Sequence, residues 1–183
     1  MLKIIARTLL RGPLTEPAPL PSDNALIELG RRVEDAAQRK LGRSLTIREV
    51  DAGSCNGCEL EIHAINNAFY DLERFGIRFA ASPRHADVLL VTGPVTHNMR
   101  QALERTYAAT PAPKWVVAVG DCAVDGGLFA DSYAVAGGVA NVLPVDLHIR
   151  GCPPTPLQLL EGLLALLEVN SERSKPHAST SSA

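Results

Sequence analysis

Two short stretches, residues 88–92 (VLLVT) and 115–119 (WVVAV), are apolar at nearly every position. A strand with one face in water alternates apolar and polar side chains. An unbroken apolar run too short to be a helix therefore marks a strand covered on both faces. Such strands belong to parallel sheets with helices above and below, which restricts the chain to an α/β architecture. Further strands are expected at 45–50, 77–81 and 142–149, the last interrupted by Pro144. Helical patterns at 58–74, 96–109 and 156–168 alternate with them. Hydrophobic residues make up 46% of the 183, ample for one core without disulfides.

The two ends read differently. Over residues 1–11, Leu2, Ile5, Ala6, Leu9 and Leu10 share one helical face and Lys3, Arg7 and Arg11 another, with Ile4 on the basic side. Residues 12–24 carry four prolines and read as an extended linker. Helical periodicity resumes over 24–41 through Leu26, Leu29, Val33, Ala36, Ala37 and Leu41, with Gly42 as a C-cap. The expected organisation is an amphipathic arm, linker and helix at 1–42, an α/β domain at 43–169 and a disordered tail at 170–183.

All four cysteines lie in the α/β part: Cys55 and Cys58 as a CxxC pair, then Cys122 and Cys152 alone. No apolar run reaches the roughly 18–20 residues of a membrane span, and no signal peptide is apparent. A cytosolic setting keeps thiols reduced, so they read as metal ligands or catalytic groups. A net charge of −2 and 4% aromatic residues give no support for nucleic-acid binding. Cys55, Cys122 and Cys152 each follow an expected strand, and sites in parallel sheets form at the carboxyl ends of strands. Four thiolates suit a cubane iron–sulfur cluster and equally a tetrahedral zinc. Structural zinc pairs two close knuckles, whereas here only the first pair is close, which favours the bulkier cluster. Glycines 53, 57, 120, 126, 127 and 151 stand beside the cysteines and let backbone amides approach sulfur. Without a GxGxxG fingerprint, a nucleotide or flavin binder is disfavoured.

The segments SPRHAD, VTGPVT, GDCA and GCPP, together with SCNGCE, resemble one superfamily over about residues 44–167. It is the small-subunit family shared by energy-converting NiFe hydrogenases and the 20-kDa cluster-bearing subunit of respiratory complex I. The resemblance implies a flavodoxin-like parallel sheet with helices on both faces. It also implies one 4Fe–4S cluster on Cys55, Cys58, Cys122 and Cys152, beside a hydrogenase-type large subunit. Complex I members carry two adjacent cysteines at the first site, whereas here Ser54 precedes Cys55 and the second ligand is Cys58. That form is the one of formate hydrogenlyase and hydrogenase-4 small subunits.

The implied function is electron transfer between a ferredoxin-like iron–sulfur subunit and the large-subunit active site. The chain would be a non-catalytic part of an oxidoreductase on the cytoplasmic face of the membrane, with the arm reaching membrane subunits. The alternatives are a quinone-reducing subunit of NADH-quinone oxidoreductase and a zinc-stabilised binding module. The resemblance also marks Glu61 for tuning or proton relay, and Arg84 and His85 as facing the large subunit near the cluster or its reaction chamber. Glu59 and Glu61 read equally well as helix N-terminal acids.

Overall fold

The computed structural model describes residues 23–169. The arm at 1–11, most of the linker and the tail at 170–183 lie outside the described residues. Five parallel strands, β1 (Leu45–Asp51), β2 (Ile77–Phe79), β3 (Val88–Thr92), β4 (Trp115–Val119) and β5 (Leu147–Ile149), form one sheet in the order β2-β1-β3-β4-β5. This is the flavodoxin-like doubly wound order, whose direction of winding reverses between β1 and β3.

The apolar runs are strands because their alternate residues feed two cores. Val88 and Leu90 of β3, with Trp115, Val117 and Val119 of β4, pack with α1 (Asp23–Leu41), α2 (Gly57–Ala64) and α5 (Pro156–Val169). Leu89, Val91, Val116 and Ala118 pack on the other face with Leu103 of α3 (His97–Ala109) and Ala123 of α4 (Asp121–Asp125). The α1 stripe Leu26, Leu29, Val33, Ala36 and Ala37 joins the first core, and Arg32 pairs with Glu168 of α5 at 3.2 Å. Gly42 closes α1 with its N–H on the Gln38 carbonyl, at a φ of 65°.

Three boundaries differ from the sequence reading. The helix expected over 58–74 stops at Ala64, and Leu72–Phe75 forms a separate single turn. Between them the Asn67 carboxamide oxygen accepts the N–H groups of Phe69 and Tyr70, which gives the backbone an alternative to the helix. The strand expected over 142–149 survives only as Leu147–Ile149, preceded by a helical turn at Val139–Asn141. Pro144 has no N–H for a ladder, and Leu143 turns into the second core instead. The strand expected over 77–81 ends at Phe79, where the chain turns toward Pro83–His85.

Candidate metal centre

The first cysteine loop is built at the end of β1. Asp51 Oδ1 accepts the N–H groups of Gly53 and Ser54, each at 2.8 Å, and Ser54 Oγ accepts that of Asn56 at 3.0 Å. Asn56 then takes a left-handed conformation and opens α2, putting Cys58 in its first turn. The loop after β3 braces this turn from beside it. Thr96 donates both its N–H and its Oγ1 hydroxyl to the Ala52 carbonyl, at 2.9 and 3.1 Å. A Cβ at Gly93 would stand 2.7 Å from Ser54 N, so only glycine lets the two loops meet. The VTGPVT segment thus acts as a buttress for the CxxC loop.

The loops after β4 and β5 are fastened to each other. Asp121 N–H donates to the Gly151 carbonyl at 2.9 Å, and Asp121 Oδ1 accepts the Gly151 N–H at 3.2 Å. Arg150 pairs with Asp125 at 3.2 Å and with Asp121 at 3.6 Å. Asp121 and Asp125, which flank Cys122, are therefore loop fasteners. The N–H of Gly127 and then Arg150 hold the Asp125 carboxyl below its ordinary range.

Backbone without side chains lines the sulfurs. A Cβ at Gly120, whose φ is 86°, would lie 2.5 Å from Cys58 Sγ, and one at Gly127 would lie 2.9 Å from Cys122 Sγ. Cys58 and Cys122 are half-buried, Cys55 and Cys152 are exposed, and all four are free thiols. Among the described residues no three His, Cys, Asp or Glu side chains are gathered as for a single metal ion.

The thiols feel one another. Burial, then the charges of Glu59 and the other three cysteines, pushes the Cys58 thiol from 9.0 up to about 12. Burial and then Cys152 raise Cys122, against the Leu128 N–H. Burial and mutual repulsion thus favour the protonated thiols over thiolates at Cys58 and Cys122. The metal-free chain loses stability at high pH through Cys58. The unfolded thiol ionises near 9.0 while the folded Cys58 keeps its proton to about 12, so its contribution to stability is complete below pH 9.0 and drains as pH climbs toward 12. The denaturation midpoint is expected to fall across that window, and to fall less in Cys58→Ala. A midpoint equally pH-dependent in both proteins would contradict it.

The other candidates separate. Glu61 is half-buried, but the deeply buried acid is Glu59, at 6% exposure and with no partner on either carboxylate oxygen among the described residues. Its charge, after burial, pushes Glu49 upward beside a cavity of about 400 Å³ that Arg48 and His63 also line. Nothing in the helical pattern distinguished Glu59 from Glu61. Arg84 and His85 are not brought to the cysteines. They precede β3, at the sheet end where β1 begins, roughly 17 Å of strand away.

Residues 55–166 match the family described as NADH ubiquinone oxidoreductase, 20 Kd subunit. The chain belongs to that family. It is 43% identical over 155 residues to formate hydrogenlyase subunit 7 of Escherichia coli, covering 83% of this chain and 59% of that protein. It is 44% identical over 128 residues to a probable membrane-bound hydrogenase subunit of Pyrococcus furiosus, covering 70% and 77%. Among solved structures it is similar to a chain of the membrane-bound sulfane sulfur reductase, an archaeal respiratory membrane complex. There the TM-score is 0.65 and the identity 36%, over 78% of this chain and 77% of that one. The family of oxidoreductase subunits thus accounts for the whole stretch from the CxxC loop to α5, and no described helix is long and apolar enough to cross a membrane.

Proposed function

We propose that this chain carries one 4Fe–4S cluster on Cys55, Cys58, Cys122 and Cys152. Through it, electrons pass between a ferredoxin-like iron–sulfur subunit and the active site of a hydrogenase-type large subunit. The observation that carries this reading is that three strand ends on one side of the sheet bring free thiols near enough to raise one another's pKa, with glycine backbone against the Cys58 and Cys122 sulfurs. The donor set fits: soft thiolates suit iron, glycine backbone leaves room at two of the sulfurs, and the N-terminal turn of α2 favours negative charge. When bound, the cluster supplies a one-electron carrier. The chain's own work is to hold its ligands, tune them by hydrogen bonds and exclude water on the inner side. Residues 43–169 would form the cluster-binding domain. The chain would sit on the cytoplasmic face of the complex, with the arm at 1–11 reaching its membrane subunits.

The surface around the cysteines supports a partner there. Of seven exposed large apolar side chains among the described residues, Leu60, Leu128, Phe129 and Leu157 follow a cysteine within seven positions of sequence, and Tyr133 lies further along the stretch after Cys122. Such a concentration marks a protein interface. Leu128→Glu with Tyr133→Glu is expected to lower co-purification of the large subunit at least about 10-fold, since two buried side chains are each worth about 1.5–3 kcal/mol. Undiminished recovery would place the large subunit elsewhere.

The deciding experiment is anaerobic metal analysis of the complex. About four irons per chain, with an EPR signal on reduction, are expected from one cubane. One zinc and no iron would establish the zinc-stabilised alternative. A quinone-reducing complex is the second reading, consistent with the family's description. The CxxC form and the two hydrogenase-system relatives favour the first. Two nickel-binding CxxC pairs in the partner large subunit would support it, and their absence the second.

A further inference from the structure

We propose that the opposite end of the sheet is a phosphate-binding site, formed by Arg43, Arg78, Arg84 and His85 around a cavity of about 500 Å³. Thr46, Ala80, Ala86 and Pro111 complete its wall, and no carboxylate lines it. The site lies where β1 and β3 begin, a strand length from the cysteines, so the candidate cluster site does not explain it.

The charges are arranged rather than scattered. Asp87, behind the cavity and buried, is fully occupied: Arg43 Nη1 and Nη2 donate to its two oxygens at 3.0 and 2.5 Å, and the Thr46 N–H adds a third bond at 3.0 Å. Asp87 therefore fixes Arg43 and cancels its charge. Arg78 and Arg84 are left with no hydrogen-bond or ion-pair partner for their guanidinium groups among the described residues, on a chain whose net charge is −2. The turn that presents Arg84 and His85 is itself held. Ser82 Oγ accepts the Arg84 N–H at 3.4 Å, and the Ser82 carbonyl accepts that of His85 at 3.3 Å.

Two free guanidinium forks and an imidazole match the several acceptor oxygens of a phosphate group. The volume falls within the 300–1,000 Å³ range of small-ligand sites. It exceeds what a bare phosphate needs, and the alanine and proline walls leave room for an organic part. The phosphate could belong to a soluble ester or to a lipid headgroup, and the chemistry at the arginines is the same.

The test uses the intact complex. Inorganic phosphate is titrated by calorimetry, and co-sedimentation is measured with phosphatidylglycerol vesicles against phosphatidylcholine vesicles. Saturable phosphate binding, or retention on phosphatidylglycerol alone, is expected, the first marking a soluble source and the second a lipid. In either arm Arg84→Gln should weaken binding about 10-fold or more, and Arg78→Gln with Arg84→Gln about 100-fold, since each removes a charged hydrogen-bond donor. Arg105→Gln, an exposed arginine on α3, should change nothing, and iron content should be equal in all variants. Absence of binding in both arms, or binding equal in wild type and the double variant, would overturn the proposal. Loss of iron in the double variant would overturn its independence from the cluster site.

Discussion

Serine at Cys122 is expected to take the chain from about four irons to fewer than one, because oxygen ligands suit the soft cluster irons poorly. Electron transfer through the complex should fall by more than about 100-fold, beyond the 10–100-fold typical of an outer-shell change. The fold should survive. Cys122 is only half-buried and lies in the short helix α4, whose loop Asp121, Asp125 and Arg150 fasten without help from sulfur. The measurements are iron per chain, the EPR signal and circular dichroism on one preparation. A spectrum and activity equal to wild type would remove Cys122 from the ligand set.

Gly120→Ala should be nearly as damaging without touching a ligand. Its φ of 86° suits glycine, and the added Cβ would stand 2.5 Å from Cys58 Sγ. The positive φ costs about 1–2 kcal/mol, and the sulfur must leave its place as well. Gly42→Ala supplies the comparison: φ is 65°, yet nothing lies within 4 Å of the new Cβ. It should lower stability by about 1 kcal/mol and retain all its iron. Gly120→Ala should lose most of its iron even in cooled, well-folded material. Equal iron in the two variants would mean that backbone strain, and not the position of the Cys58 sulfur, governs the site.

The legible parts of the fold were those where one physical signal dominated. VLLVT and WVVAV were readable as strands because both their faces are buried. The α1 stripe and its Gly42 cap were readable because periodicity and cap chemistry agree. Signals failed where a side chain outbid the local pattern. Asn67 stopped the helix expected over 58–74, and Ile65, Leu72 and Phe75 are nevertheless buried from the turns that replace it. Around Pro144, the apolar residues served the second core rather than a ladder.

At the site, the cysteines announced themselves by type and by position after strands. What fastens them did not. Asp121 bonds to Gly151 across thirty positions of sequence, and Thr96 to Ala52 across forty-four, and no local pattern encodes a partner so distant. Glu59 and Glu61 are alike in sequence, and only the packing of α2 against the sheet decides that Glu59 is the one enclosed. Arg84 and His85 lie within the stretch that matches the family, yet the direction of β3 carries them away from the thiols.

Hydrophobic period and residue chemistry are local properties, so the parallel sheet, its covering helices and the four thiols can be read along the chain. Tertiary structure decided which loops brace each other, which glutamate is buried and which end of the sheet holds the free arginines. Those depend on where strands begin and end in space, and strand order is fixed only when the two cores close.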